Sequence, residues 1–214
     1  MVEVSPVTAA RDDVLGRIRQ ALANDPAGEV EIARSYRRTS GLSGAELVDR
    51  FAERAEAYKA TVRRVGDAAG VTEEVRRLQG RFVVPEDLPD AWLPSEFVRD
   101  HGQLSHRELD AVVGVVTGCA LAIAETGTII LDAGVGQGRR AITLLPDFHV
   151  CIVPVERIVG SVPEAIAALR SSLPRPLTFM SGPSATSDIE LNRVEGVHGP
   201  RVLQIILVGA QTRV

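Results

Sequence analysis

The first 80 residues carry the apolar spacing of amphipathic helices. Val14, Ile18 and Leu22 recur every four residues and therefore share one helical face, which predicts a helix over residues 9–23. A second apolar stripe continues over residues 47–65 in steps of three and four, which predicts one long helix. We expect this second stripe to pack on the protein's own domain, and pairing with a partner helix is the alternative.

Near residue 81 the pattern changes to short runs of β-branched residues, which are typical of strands. Helical signals separate these runs. The clearest is a capping box formed by Ser161 and Glu164, and a similar pair, Ser43 and Glu46, precedes the second stripe. Strands that alternate with helices predict a largely parallel sheet covered on both faces. The predicted strands are Arg81–Val84, Ala111–Val116, Gly127–Leu131, His149–Val153, Leu177–Met180 and Val202–Val208.

Charge is concentrated in the N-terminal part of the chain. Residues 1–80 contain 13 basic and 13 acidic residues, whereas residues 81–214 contain 11 and 15 in a longer segment. A length of 214 residues suits a single domain. We therefore predict one domain, in which an N-terminal helical segment over 1–80 packs on an α/β core over 81–214.

Composition argues against several partners and cofactors. The net charge is -4 without a basic block, so neither nucleic acid nor an anionic membrane is an expected partner. The two cysteines form no CxxC pair and fit reduced, buried thiols, so we expect a cytoplasmic protein. Cys119 and Cys151 are the two cysteines, whereas an iron–sulfur cluster normally needs four thiolates, so we expect no cluster on this chain alone. His101 and His106 match no usual zinc spacing, and we predict no bound metal.

Ligands bind at the carboxyl ends of strands in such sheets, so the loops that leave the predicted strands are candidate sites. The first loop places Glu125 between two apolar runs, where burial can tune a carboxyl group for acid–base catalysis. We predict Glu125 as the catalytic residue and Thr126, Gly127 and Thr128 as ligand-binding residues. The alternative is that Glu125 pairs with an arginine or accepts backbone N–H bonds in a tight turn.

The second loop, Asp132–Gly138, is rich in glycine and is called the glycine loop below. Glycines let the backbone approach a ligand, and Arg139 and Arg140 follow with two guanidinium groups that suit a carboxylate or phosphate. We predict both arginines as ligand-binding residues. The glycine spacing differs from the dinucleotide fingerprint, so it is a weak nucleotide signal.

The third loop, over residues 181–190, follows a predicted strand and leads into a predicted helix whose N–H groups would attract an anion. Capping alone is the alternative, although it needs only one hydroxyl. His198, which precedes the last strand, is a candidate by location, and a turn residue is its alternative. We expect the three loops to converge into one electropositive cradle above the sheet. The ligand-binding candidates in the third loop are Ser181, Gly182, Ser184, Thr186, Ser187 and Asp188.

Four blocks of the sequence together resemble the LUD-domain family. They are IAETGTIIL at 123–131, RRAITLLPDFHVCIV at 139–153, SGPSATSDIE at 181–190 and GVHGPRVLQIILV at 196–208. The resemblance implies a three-layer αβα sandwich like that of the NagB, ribose-5-phosphate isomerase and CoA-transferase group. This agrees with the alternation of strands and helices.

The same resemblance implies a place in a three-protein bacterial system that oxidises L-lactate to pyruvate, in which the iron–sulfur proteins are the other two members. Our leading hypothesis is a non-redox subunit that holds no cofactor alone and binds a small carboxylate or an anionic cofactor. One alternative is a stand-alone enzyme, either CoA-transferase-like or sugar-phosphate isomerase-like, that uses Glu125. A ligand-binding or scaffold protein is the other.

Overall fold

The computed structural model describes residues 6–23, 32–94, 97–172, 175–182 and 199–209, and the chain divides into two units, 1–36 and 37–214. The first unit contains the helix α1, Pro6–Ala23, which confirms the helix predicted for this region. The side chains of Val14, Ile18 and Leu22 are exposed. The packing of segment 1–80 as a whole stays a prediction.

The second unit contains the remaining elements. Its helices are α2 (Gly44–Ala57), α3 (Ala68–Arg76), α4 (His106–Asp110) and α5 (Val162–Ala168). Its strands are β1 (Thr61–Val65), β2 (Phe82–Pro85), β3 (Val98–Asp100), β4 (Gly114–Thr117), β5 (Leu121–Ile123), β6 (Thr128–Leu131), β7 (Phe148–Pro154), β8 (Ile158–Val159), β9 (Thr178–Met180) and β10 (Val202–Val208). Short 3₁₀ turns lie at Asp90–Trp92, Arg140–Thr143, Val155–Arg157 and Leu169–Ser172.

The prediction of one long helix over 47–65 is wrong beyond residue 57. The helix α2 ends at Ala57, and Lys59 then adopts a φ of +66°, a left-handed conformation that a helix cannot contain. The next residues form β1, because its β-branched side chains pair in parallel with β10. Ser43 is the N-cap of α2, but its side chain makes no capping hydrogen bond, so the predicted capping box with Glu46 is not formed.

Six strands form a parallel central sheet in the order β1-β10-β7-β4-β2-β3. A second sheet has the order β8-β5-β6-β9, in which β6 runs antiparallel to both of its neighbours. All six predicted strands are present, but those predicted at Gly127–Leu131 and Leu177–Met180 belong to the second sheet. Four shorter or more polar strands, β1, β3, β5 and β8, escaped prediction.

Apolar side chains on both faces of the central sheet fix its layers. On one face Val150, Ile152 and Ile206 pack with Val71 and Val75 of α3. The other face is covered by α2 and the second sheet, and its cluster comprises Phe51, Ala55, Ala122, Ile129, Cys151, Val153, Ile205 and Leu207. The predicted α/β class, with a mostly parallel sheet flanked by helices, is therefore confirmed.

One titratable side chain, His149, lies inside this core on the central strand β7. It is fully buried, and its Nε2 atom is 2.8 Å from the hydroxyl of Thr117. That hydroxyl donates its hydrogen to the carbonyl oxygen of Gly118, so His149 must donate from Nε2. Burial and then the nearby charge of Arg140 lower the pKa of His149 to about 3, so the imidazole is neutral.

Candidate anion site around Glu125

Glu125 lies in the turn between β5 and β6, and this turn is held on two sides. The N–H of Glu125 donates to the carbonyl oxygen of Gly160 at 3.0 Å. Gly127 has a φ of +63°, and a Cβ atom there would lie 2.5 Å from the backbone nitrogen of Ala55 in α2. Only glycine fits this close approach. The turn is therefore fixed against the last turns of α2.

The carboxylate of Glu125 makes an ion pair with Arg37. The Oε1 and Nη2 atoms are 2.6 Å apart, and the side chains are 29% and 63% exposed. Because Arg37 is mostly solvated, such a pair is worth about 0–1 kcal/mol, and a ligand could replace one partner at little cost. Pairing with an arginine was the alternative given for Glu125 in the sequence analysis, and the structure has this pair. The catalytic role of Glu125 stays a prediction.

A cavity of about 360 Å³ opens beside this pair. Its lining residues are Ser40, Leu42, Arg50, Arg54 and Glu125. Arg50 and Arg54 are one helical turn apart on α2 and therefore extend on the same side. Arg50 makes a 3.7 Å ion pair with Glu53 on its own helix. Together with Arg37, the guanidinium groups around the cavity outnumber its carboxylate, which suits an anion such as a carboxylate or phosphate.

Residues 37–42, here called the strap, form one wall of this cavity and supply the arginine partner of Glu125. The strap is fastened by Glu164, which accepts hydrogen bonds from the N–H groups of Ser40 at 3.1 Å and Ser161 at 2.6 Å. The hydrogen bond from Ser161 to Glu164 is half of the capping box predicted for α5. A Cβ atom at Gly160 would lie 1.7 Å from the hydroxyl of Ser40, so the strap closes tightly over this glycine.

Three hydroxyl groups form a chain next to Glu125. Thr128 lies 2.7 Å from Thr126 and 2.7 Å from Ser181, oxygen to oxygen, which links β6 to the end of β9. Gly182 follows with a φ of +79°, and a Cβ atom there would lie 2.4 Å from the carbonyl oxygen of Tyr58. The predicted residues of the first loop and the start of the third loop thus meet at the carboxyl end of α2.

Comparison with known proteins places this site in a family. Residues 90–208 match the LUD domain family. Lactate utilization protein C of Deinococcus radiodurans is 44% identical over 216 aligned positions, which cover 98% of this chain and all of that protein. The chain belongs to the LUD domain family. The family match includes Glu125, whereas the strap and α2 precede it and are covered by the Deinococcus radiodurans relative.

Other relatives of this LUD domain chain match in part. Proteins named lactate utilization protein C from Geobacillus kaustophilus and Bacillus subtilis are 33% and 30% identical, each over 60% of this chain. These matches cover 62% and 56% of the relatives. A crystal structure of a DUF162 family protein from Deinococcus radiodurans is similar with a TM-score of 0.69 and 43% identity, over 78% of this chain and 99% of that chain. It agrees with the α/β fold.

Arg139 of the LUD domain does not line the Glu125 cavity. Its Nε atom donates to Oδ2 of Asp100 at 2.7 Å and its Nη2 atom to Oδ1 at 3.1 Å. The Asp100 side chain is 2% exposed. Burial alone would raise the pKa of Asp100, but the hydrogen bonds and charge of Arg139 hold it below its usual value. Arg139 therefore neutralises a buried carboxylate. We expected three loops to converge at one site, and this expectation is wrong for Arg139 after the glycine loop.

Arg140 also lies away from Glu125. Its Nη1 atom donates to the carbonyl and hydroxyl oxygens of Thr143, both at 3.0 Å. It lines a small cavity of about 50 Å³ together with Leu131 and Thr178. Leu131 ends β6, whereas the hydroxyl chain is at the start of that strand. Neither Arg139 nor Arg140 lines the Glu125 cavity. A ligand-binding role for either arginine stays a prediction.

The glycine loop of the LUD domain forms hydrogen bonds within itself and to residues that follow two neighbouring strands. Gln137 and Asp132 exchange two hydrogen bonds of 2.7 Å. The N–H of Gly136 donates to Asp87 after β2, and its carbonyl accepts from the N–H of Gly118 after β4. The next strand of the central sheet after β2 is β3, on one side, whereas the next one after β4 is β7, on the other side. Ligands often bind at such a point of divergence in α/β sheets. Here the loop occupies that position.

Several predicted residues cannot be placed. Ser184, Thr186, Ser187, Asp188 and His198 lie outside the described residues, so their predicted roles are untested. Conversely, the sequence interpretation missed the positive side of the site. The local signal for this side was the spacing of Arg50 and Arg54, two arginines four residues apart on α2. Arg37 and Ser40 have no comparable local signal because long-range contacts position them.

Candidate metal clusters and membrane-spanning helices are both absent from the part of the chain that the structure describes. No group of three or more His, Cys, Asp or Glu side chains there could hold a metal ion. None of the described helices is long and apolar enough to cross a membrane. Cys119 and Cys151 are unpaired thiols buried in the core.

Proposed function

We propose that this chain is the lactate utilization protein C subunit of a bacterial system that oxidises L-lactate to pyruvate. The observation that carries the proposal is its 44% identity to the Deinococcus radiodurans protein of that name over nearly the full length of both chains. The shorter matches to Geobacillus and Bacillus proteins of the same name support it.

Within this function, the chain binds a small carboxylate or another anionic ligand in the Glu125 cavity. Arg50 and Arg54 form charge-assisted hydrogen bonds with the ligand, because planar guanidinium groups match a carboxylate in shape and charge. Glu125 lies on the same cavity and accepts a hydrogen bond from a hydroxyl group of the ligand. A 2-hydroxy acid carries both of these groups.

Electron transfer in this proposal belongs to partner proteins that carry iron–sulfur clusters. The two cysteines of this chain lie in the hydrophobic core and cannot supply the four thiolates that a cluster normally needs. We therefore assign ligand binding and assembly to this chain, and the iron–sulfur clusters to its partners.

A second candidate function uses Glu125 as a nucleophile or base in a stand-alone enzyme of the CoA-transferase-like or sugar-phosphate isomerase-like kind. The partial exposure of this carboxylate, 29%, at the wall of a cavity favours it. Its ion pair with Arg37 favours the binding role. Incubation with acyl-CoA thioesters followed by mass spectrometry separates the two, because a covalent adduct on Glu125 would support the enzyme. If the function survives Glu125→Gln, a scaffold role is favoured instead.

The subunit function is tested by reconstitution. The chain is purified from its native host with its associated proteins, and lactate-dependent reduction of a dye is measured with the chain present and after its removal. We expect dye reduction to be lost without the chain and restored when it is added back. Lactate oxidation by the isolated chain, or full activity of the partners without it, would contradict the proposal.

A further inference from the structure

A second and larger cavity, of about 600 Å³, lies at the amino end of α2. This volume falls in the range of about 300–1,000 Å³ that is usual for small-molecule sites. Glu125 is not part of it, because Glu125 lies near the opposite end of the helix. We call it the α2 cavity, and its walls include Ala45, Val48, Asp49, Arg64, Val155 and Glu156.

The α2 cavity lies at the carboxyl edge of the central sheet. Val65, Val208 and Pro154 end β1, β10 and β7, and they are neighbours in the parallel register. Val155 and Gly209, which follow two of these ends directly, line the cavity. This edge is where parallel α/β sheets bind ligands. The glycine loop bonds to residues after β2 and β4, and the α2 cavity is a separate opening along the same edge.

The walls of the α2 cavity are mostly apolar and firmly packed. Leu47, Val48 and Val155 are half-buried and pack against the main hydrophobic cluster, and Ile158 is buried within it. An apolar ligand would therefore meet a preformed surface that needs little ordering on binding.

One ion pair supplies the polar part of this cavity. Nη1 of Arg64 lies 2.6 Å from Oδ1 of Asp49, and their side chains are 23% and 28% exposed. The guanidinium group has five N–H donors, so one contact with Asp49 leaves donors for a ligand. Because Glu156 also lines the cavity, its carboxylates outnumber its guanidinium group. This charge disfavours an anion, in contrast to the Glu125 cavity.

We propose that the α2 cavity binds a second ligand, a neutral and mostly apolar organic molecule with a polar group that accepts a hydrogen bond from Arg64. The two ends of α2 then serve two chemically different ligands, an anion at the Glu125 cavity and a neutral molecule at the α2 cavity. This inference does not depend on lactate being the anion.

The test uses Nile red, a neutral apolar dye with a carbonyl acceptor, and measures its fluorescence on titration with the full-length protein. We expect saturable binding of one dye per chain. Ala45→Trp places a large side chain in the cavity from an exposed position and should weaken binding at least about tenfold. Ala57→Trp is the matched control, because Ala57 is exposed on the same helix and does not line the cavity.

Two further variants and a second dye sharpen the result. Glu156→Trp, also at an exposed lining position, should weaken binding like Ala45→Trp, whereas Glu125→Gln should leave it unchanged. The anionic dye 8-anilinonaphthalene-1-sulfonate should bind the cavity at least about tenfold more weakly than Nile red. Absence of saturable Nile red binding, or an equal loss in the Ala45 and Ala57 variants, overturns the proposal. Equal affinity for the anionic dye, lost in Ala45→Trp, overturns the neutral ligand class.

Discussion

The carboxylate of Glu164 accepts a 3.1 Å hydrogen bond from the backbone N–H of Ser40, across 124 positions of the sequence. The same carboxylate accepts the N–H of Ser161 at the start of α5. Glu164 therefore fastens the strap, and the strap carries Arg37 to its ion pair with Glu125. A residue that touches no ligand thus positions the candidate site.

Replacing Glu164 by Gln should weaken both the fold and the site. Loss of the charge-assisted hydrogen bonds should lower the free energy of unfolding by about 1–2 kcal/mol, measured by urea denaturation at pH 7. Anion affinity should also fall, because the strap is no longer fastened. Glu73→Gln is the control, since its ion pair with Arg76 is on the surface. Equal stability of wild type and Glu164→Gln would contradict this role.

The contribution of Glu164 should also depend on pH. Burial alone would raise the pKa of Glu164, but the N–H groups around it hold the pKa below its usual value of 4.5. A carboxyl group with a lowered folded pKa stabilises the fold fully above its unfolded pKa and loses this effect as pH falls through the folded value. The stability difference between wild type and Glu164→Gln should therefore be constant at neutral pH and shrink below pH 4.5. A difference that grows on acidification would contradict the assignment.

Arg54→Gln should weaken binding of a small carboxylate in the Glu125 cavity. A charge-assisted hydrogen bond is worth about 1.5–3 kcal/mol, so the dissociation constant for L-lactate or another bound carboxylate should rise roughly 10- to 100-fold. Isothermal titration calorimetry measures this change. Arg76→Gln, on the exposed surface of α3, should leave the affinity unchanged. An unaltered affinity in Arg54→Gln would remove this arginine from the site.

Arg139→Gln should have the opposite profile, with a large effect on stability and little on anion binding. Asp100 is buried, and removal of its arginine leaves an unpaired carboxylate, which costs about 3 kcal/mol. Chemical denaturation measures the first effect and calorimetry with the same carboxylate the second. A double variant with Asp100→Asn should recover part of the lost stability. If Arg139→Gln is stable but does not bind the anion, the sequence interpretation of Arg139 as a ligand-binding residue is the correct one.

The sequence predicted the strands of the core well because their signal is local. β10, Val202–Val208, has the bounds of its predicted strand, since a mostly apolar, β-branched run suits an interior strand of a parallel sheet. The prediction missed β1 because local spacing misled it. Its apolar residues continue the spacing of α2 across the turn at Lys59, and only pairing with β10 identifies them as a strand.

The site was predicted less completely, because its parts come from distant segments. Glu125 and its neighbours were found from a carboxylate between apolar runs. The arginines that accompany Glu125 belong to the strap and α2, whose approach depends on Glu164 and on the absence of a side chain at Gly160. Arg139 had the stronger local signal for ligand binding, because it follows the glycine loop. In the structure it pairs with the buried carboxylate of Asp100 at the end of β3.

His149 should make stability depend on pH between about 6.5 and 5. Its pKa is lowered to about 3 in the fold, whereas an unfolded histidine has a pKa near 6.5, so below that pH only the unfolded chain takes up this proton. The free energy of unfolding should therefore fall with decreasing pH by up to about 1.4 kcal/mol per unit. His149→Leu should flatten this slope in urea denaturation from pH 7 to 5, and Thr117 keeps its bond to Gly118 in the variant. Parallel slopes for wild type and His149→Leu would show that the imidazole is charged or solvated in the folded protein.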